Sequence, residues 1–87
     1  MSDDVRIVVR VLCFAAAREV VGADEVRLSV TTPADVAAVR RALFAEHPGL
    51  APYARSLRFA VNGAYARDDD AVVAGDEVAA IPPVAGG

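Results

Sequence analysis

The stretch EVRLSVTTPADVAAVRRALFAEH, residues 25–47, changes its period part-way along, and that change decides the fold. Its first part alternates, with Val26, Leu28 and Val30 facing one way and Glu25, Arg27 and Ser29 the other. A period of two is the mark of a half-buried strand. Beyond Thr32 the apolar positions become Val36, Val39, Leu43 and Phe44, the spacing of a helix that lays one stripe on a sheet and turns Arg40 and Arg41 away from it. Between the two, Thr32-Pro33-Ala34-Asp35 reads as a helix start. Thr32 is expected to cap the free amides, Pro33 suits the first helical position and Asp35 complements the dipole. Pro48-Gly49, after His47, stops the helix.

Upstream, VRIVVRVLCF (residues 5–14) is a strand with Val5, Ile7, Val9, Val11 and Cys13 on one face. Its other face, Arg6, Val8, Arg10, Leu12 and Phe14, begins polar and ends apolar. AAAREVV (residues 15–21) supplies one or two helical turns, and Gly22 stands where a C-cap glycine would. Downstream, residues 48–55 are a connection and residues 57–61 a strand with Leu57, Phe59 and Val61 inward. Asn62-Gly63 is a strong hairpin signal leading into the return strand Ala64-Tyr65-Ala66. Asp68-Asp69-Asp70 and Ala74-Gly75-Asp76 are turns, with Val72 and Val73 between them dipping into the core. EVAAI (residues 77–81) is the last strand. The order strand, strand, helix, strand, short strand, strand predicts an α+β chain of the β-grasp type: one mixed sheet curled around one main helix. A ferredoxin-like arrangement needs a second long helix that the pattern lacks. A single domain covers residues 1–87, with residues 82–87 as an extended, flexible tail.

The composition removes most side-chain chemistry. The chain has 87 residues, a net charge of −3, one cysteine and one histidine, and all nine of its basic residues are arginine. Without lysine there is no Schiff-base amine, no P-loop lysine and no acceptor for isopeptide conjugation on the chain itself. One cysteine and one histidine build neither a disulfide nor a metal cage, and make a catalytic triad improbable. Cys13 falls on the inward face of its strand and reads as core. His47, at a helix end, suits the dipole. The three aspartates lack the spacing of a calcium loop. The arginines are spread rather than striped, which argues against nucleic acid. No apolar run is long enough to cross a membrane, and Met1-Ser2-Asp3-Asp4 is acidic where a signal peptide is basic, so the expected compartment is the cytoplasm.

What remains is the end of the chain. From Val78 to Gly87 the only charge is the terminal carboxylate. Pro82-Pro83 blocks extension of the sheet and stiffens the base of an arm whose six residues reach roughly 20 Å at about 3.3 Å each. Gly86-Gly87 keeps the tip free of Cβ atoms. Such a probe fits a narrow tunnel in another protein. A carboxylate activated as an acyl-adenylate accepts sulfur, and the resulting thiocarboxylate is a strong nucleophile.

The tail GDEVAAIPPVAGG, the hairpin segment FAVNG and the N-terminal VRVLCFAAAREVVG together resemble the sulfur-carrying small subunit of molybdopterin synthase, over nearly the whole chain from about Val9. The terminal Gly-Gly is shared by all ubiquitin-like sulfur carriers. Its pairing with the F-A-x-x-R-E-x-x-G segment, Phe14 to Gly22, is far more specific. The resemblance implies a ubiquitin-like β-grasp with no cofactor of its own. It implies an E1-like enzyme that spends ATP to adenylate Gly87, and a sulfur donor protein that yields the thiocarboxylate. It also implies a large synthase subunit whose active site receives Pro83, Val84, Ala85 and Gly86 with the terminus. There, sulfur passes to cyclic pyranopterin monophosphate to build the molybdopterin dithiolene, within a heterotetramer. Phe14, Tyr65 and Ile81 match the family's apolar docking positions, which accounts for the apolar end of the first strand. Ala80 departs from the family, where an aromatic is common. Arg18 and Glu19 are open between local pairing and a partner. Related carriers for thiazole or cysteine biosynthesis would share the fold and the terminal chemistry, and a ubiquitin-like protein modifier would share the tail.

Overall fold

Strand β1 (Val5–Cys13) is an interior strand of the main sheet, and its inward side chains Val9, Val11 and Cys13 are buried. The computed structural model describes residues 5–83. β1 is followed by the short helix α1 (Ala15–Val21), β2 (Glu25–Thr32), the two-residue β3 (Ala34–Asp35), the main helix α2 (Val36–Glu46) and a 3₁₀ segment (Pro48–Tyr53). Then come β4 (Arg58–Val61), β5 (Ala64–Ala66), β6 (Ala71–Val72) and β7 (Glu77–Ile81). Five strands form one sheet in the order β2-β1-β7-β4-β5, and β3 pairs with β6 in a second, two-stranded sheet. β1 and β7 are parallel, with Val11 opposite Val78 and Cys13 opposite Ala80, whereas the other pairings are antiparallel. This is the mixed sheet around one main helix that the period change in residues 25–47 predicts.

The core is the layer between α2 and the sheet. Val36, Val39 and Leu43 of α2 are wholly buried, as are Leu28, Val11 and Val78 of the sheet, and Phe59 is nearly so. Each such side chain contributes about 1.5–3 kcal/mol relative to exposure. Phe44 packs part-buried at the edge of the same stripe.

Four local readings change. The helix start lies lower than Thr32. β2 continues through Thr32, whose Oγ1 donates to the Val5 carbonyl at 3.0 Å, and Ala34–Asp35 pairs with Ala71–Val72 before α2 begins. Asp35 is therefore the cap, accepting the Ala38 N–H at 2.9 Å. The carbonyls of Asp70 and Asp68 take two further free amides, Val36 N–H at 3.0 Å and Ala37 N–H at 2.9 Å. The Asp68–Asp70 turn thus closes the start of α2. Residues 48–55 are more than a connection, because the 3₁₀ segment drives Leu50 fully into the core. Of the Val72–Val73 pair only Val72 enters the core; Val73, just past the end of β6, is 60% exposed. At the other end, Pro82 is buried, so the exposed chain begins at Pro83.

The hairpin is as its sequence demands. Asn62 and Gly63 both have positive φ (50° and 86°), the geometry that Asn-Gly provides most readily. Asn62 also bonds β7: its N–H donates to the Glu77 carbonyl at 2.8 Å and its Oδ1 accepts the Glu77 N–H at 3.0 Å.

Candidate functional site

The candidate site is the place where the chain leaves the sheet. β7 lies between β1 and β4, so its end at Ile81 emerges from the middle of the sheet rather than from an edge. Phe14 continues the outward alternation of β1, and its N–H donates to the Ala80 carbonyl at 3.3 Å as the final rung beside β7. Its carbonyl then accepts the Ala17 and Arg18 amides to start α1. The switch from strand to helix at this point puts Ala15 at φ 48°, a left-handed conformation that disfavours a Cβ. α1 ends where Gly22, at φ 83°, donates to the Arg18 carbonyl, so the C-cap reading of Gly22 holds.

These turns leave an apolar groove of about 600 Å³ beside the exit of the chain, lined by Phe14, Ala15, Ala16, Tyr53, Ile81 and the two prolines. Pro83, exposed, is the last described residue on its wall. Phe14 is 46% exposed, large for an aromatic with no polar atom. Phe14 and Ile81 are thus brought together at the root of the tail. Tyr65 is not part of the groove. It stands on the same outer face two strands away, across Ala79 and Ala60, and it is 67% exposed. The Arg58 guanidinium, on the residue paired with Ile81, stacks over the Tyr65 ring at 5.7 Å and bridges part of the gap. Val84, Ala85, Gly86 and Gly87 lie outside the described residues.

The outer face grows polar away from the groove. Arg10 donates to Glu25 Oε1 at 2.8 Å, and Arg27 lies 3.6 Å from the other oxygen. The hydrogen bond from Arg10 holds the Glu25 carboxyl below its ordinary range, and the same bond raises Arg10. Cys13 is no rival for the terminus as a nucleophile, because burial first, and the charge of Asp24 second, push its thiol up. Arg18 pairs with Asp24 at 3.5 Å, while Glu19 is exposed. Among the described residues no cluster of three or more His, Cys, Asp or Glu side chains could hold a metal ion.

Residues 11–87 match the model of the ThiS family. The chain belongs to the ThiS family. A curated relative, the molybdopterin synthase sulfur carrier subunit of Chlamydomonas reinhardtii, is 38% identical over 81 residues, covering 91% of this chain and 98% of its own. Among solved structures, SAMP1 from Haloferax volcanii superposes with a TM-score of 0.81 at 33% identity, covering 92% of this chain and 99% of that one. Subunit 1 or 2 in the complex of the molybdopterin-converting factor from Helicobacter pylori matches with a TM-score of 0.65 at 22% identity, covering 93% and 100%, a likeness of fold. The ubiquitin-like fold of this ThiS-family chain is therefore shared over most of its length.

The groove had only partial signals in the sequence. Phe14 and Ile81 are marked by alternation, as outward apolar residues on strands. Tyr53 and the Ala15–Ala16 pair are not, because they reach the groove only through the 3₁₀ segment and the left-handed turn at Ala15.

Proposed function

We propose that this ThiS-family chain is the sulfur-carrier subunit of a molybdopterin synthase, inactive alone, with the Gly87 carboxyl terminus as its working group. The observation that carries the proposal is 38% identity to a molybdopterin synthase sulfur carrier subunit over 91% of the chain, joined to a tail that ends Pro-Pro-Val-Ala-Gly-Gly. The fold supports it, because the tail is rooted in a central strand and flanked by an apolar groove. A docked partner covers that groove while the glycines, lacking Cβ atoms, pass into its interior.

The chemistry follows from the terminus. The Gly87 carboxylate attacks the α-phosphate of ATP on an E1-like enzyme, and pyrophosphate leaves. A sulfide equivalent from a sulfur donor protein then displaces AMP and gives the thiocarboxylate. In the active site of the large subunit, that sulfur attacks a side-chain carbon of cyclic pyranopterin monophosphate, and the C–S bond forms as the C–O bond at that carbon breaks and its oxygen leaves protonated. Water then cleaves the acyl–sulfur bond, leaves the sulfur on the pterin and restores the carboxylate, and a second charged chain repeats the transfer to supply the second sulfur of the dithiolene. The lysine-free composition supports this use, since an activated terminus has no side-chain amine on its own chain to acylate.

Reconstitution with a large subunit, an activating enzyme, ATP and a sulfur source tests the reading. The intact chain is expected to convert the precursor to the dithiolene, and deletion of Gly87 to abolish transfer with the fold unchanged. Isopeptide remnants on other proteins, with no sulfur on the pterin, would make the chain a modifier instead.

A further inference from the structure

β2 is an edge of the five-stranded sheet, and it is eight residues long. The Cys13 N–H donates to the Asp24 carbonyl at 2.8 Å, which fixes the hydrogen-bonded phase of the β1–β2 ladder. By the alternation of an antiparallel pair, the backbone groups of Glu25, Arg27, Ser29 and Thr31 then point away from β1, to the open edge. An edge of this length is a template for another strand unless something shields it. Among the described residues the shield is one side chain. Arg6 reaches over the edge, where Nη2 donates to the Ser29 carbonyl at 3.1 Å, Nε to Ser29 Oγ at 2.9 Å and Nη1 to Thr31 Oγ1 at 3.3 Å.

All three acceptors are neutral. Beside the edge, towards α2, lies a groove of about 400 Å³ with small residues, Ala38 and Ala42, on its helix side and a second guanidinium, Arg41, at its rim. Arg41 is exposed, and its helical neighbours Ala37, Ala38, Phe44 and Ala45 carry no charge. None of the four ion pairs among the described residues involves Arg6 or Arg41. Asp35, the one carboxylate in the groove among the described residues, is committed to the Ala38 N–H.

We propose that this edge takes up an extended acidic segment of a partner protein as an added strand. Main-chain hydrogen bonds to Arg27, Ser29 and Thr31 give the register, and carboxylates of the segment meet Arg6 and Arg41. The incoming N–H replaces Arg6 at the Ser29 carbonyl, and Arg6 moves to a carboxylate of the new strand. The side chain that covers the edge becomes the one that holds its ligand. Small helix residues leave room for apolar side chains on the inner face of that strand. The site is independent of the tail, since Arg6 and Phe14 are eight residues apart on one extended run, roughly 26 Å at about 3.3 Å per residue. Both ends can therefore be engaged together.

The probe is an end-blocked octapeptide alternating valine and glutamate, titrated into the full chain by calorimetry and by amide NMR. Saturable binding is expected, with shifts centred on Arg27, Ser29 and Thr31 and slowed exchange of the Ser29 and Thr31 amides. Arg6→Gln and Arg41→Gln are each expected to weaken binding about fivefold, raised salt to weaken it further, and a peptide with lysine for glutamate not to bind. Ser29→Pro, which deletes an edge donor, is expected to abolish binding; a retained amide spectrum elsewhere shows that the fold is intact. Four results would each overturn the proposal: absence of saturable binding, equal binding of the lysine peptide, indifference to both arginine changes, or shifts gathered at Phe14 and Ile81.

Discussion

Replacing Phe14 by alanine tests whether the groove beside the tail is a docking surface. A phenylalanine buries about 200 Å² when fully covered. With Phe14 46% exposed, roughly 90 Å² is left for a partner to cover, worth about 2 kcal/mol at about 25 cal/mol per Å². Ordering costs at an interface reduce this, so the expected loss is about 1–2 kcal/mol, or roughly five- to thirty-fold in Kd for the large subunit. The backbone bonds of Phe14 to Ala80, Ala17 and Arg18 survive the change, because alanine keeps them. The covered half of the ring does pack against the body, so Tm falls as well. Calorimetry is therefore run at 25 °C, where the amide spectrum shows the variant folded. Val73→Ala is the control, since Val73 is also an exposed apolar residue, at 60%, and lines no part of the groove. It is expected to leave Kd unchanged. A Phe14→Ala chain that binds the large subunit as tightly as the parent would refute the docking role.

Three further outcomes follow from the packing. Leu50→Ala empties a fully buried position of the 3₁₀ segment and is expected to cost about 2–5 kcal/mol in urea unfolding; a loss under about 0.5 kcal/mol would mean that this segment is only a connection. Asp35→Ala removes the cap of α2 and is expected to cost about 1 kcal/mol, more than Thr32→Ala, and the reverse order would restore Thr32 as the cap. Asp76 accepts the Val73 N–H and the Asn62 Nδ2–H, which hold its carboxyl below the ordinary range in that order of strength. Its folded value lies below its unfolded one, so the stability it contributes is present above the unfolded value and is lost as pH falls through the folded value. Urea midpoints taken from about pH 6 to about pH 2 should fall at the acid end, and Asp76→Asn should flatten that part of the curve; an unaltered curve in the variant would remove Asp76 from the account.

Much of the fold is legible because period and turn chemistry agree. Residues 25–47 pass from alternation to helical spacing, and Asn62-Gly63 names its own turn. What stays hidden depends on contacts between segments distant in the chain. The cap of α2 moves to Asp35 because Ala34–Asp35 pairs with Ala71–Val72, a link invisible in a local reading that finds Thr-Pro a sufficient start. Leu50 is isolated among prolines, glycine and alanines, so no periodicity marks it as core. The site divides the same way. Phe14 and Ile81 follow from strand parity, whereas Tyr53 enters the groove only because the 3₁₀ segment packs on α1. Tyr65 shares the outer face with them but stands apart, since two alanines occupy the rows between. The edge formed by β2 needed the strand order, which no pattern of residues supplies.

The central claim is that the main chain itself carries the reactive atom. Intact mass spectrometry of the chain after incubation with an activating enzyme, ATP and a sulfur source addresses it most directly. The account predicts a mass gain equal to the exchange of one oxygen for one sulfur, located at Gly87 and absent from a chain lacking that residue. A sulfur adduct that persists when Gly87 is deleted, carried instead on Cys13, or no gain of sulfur at all, would contradict it.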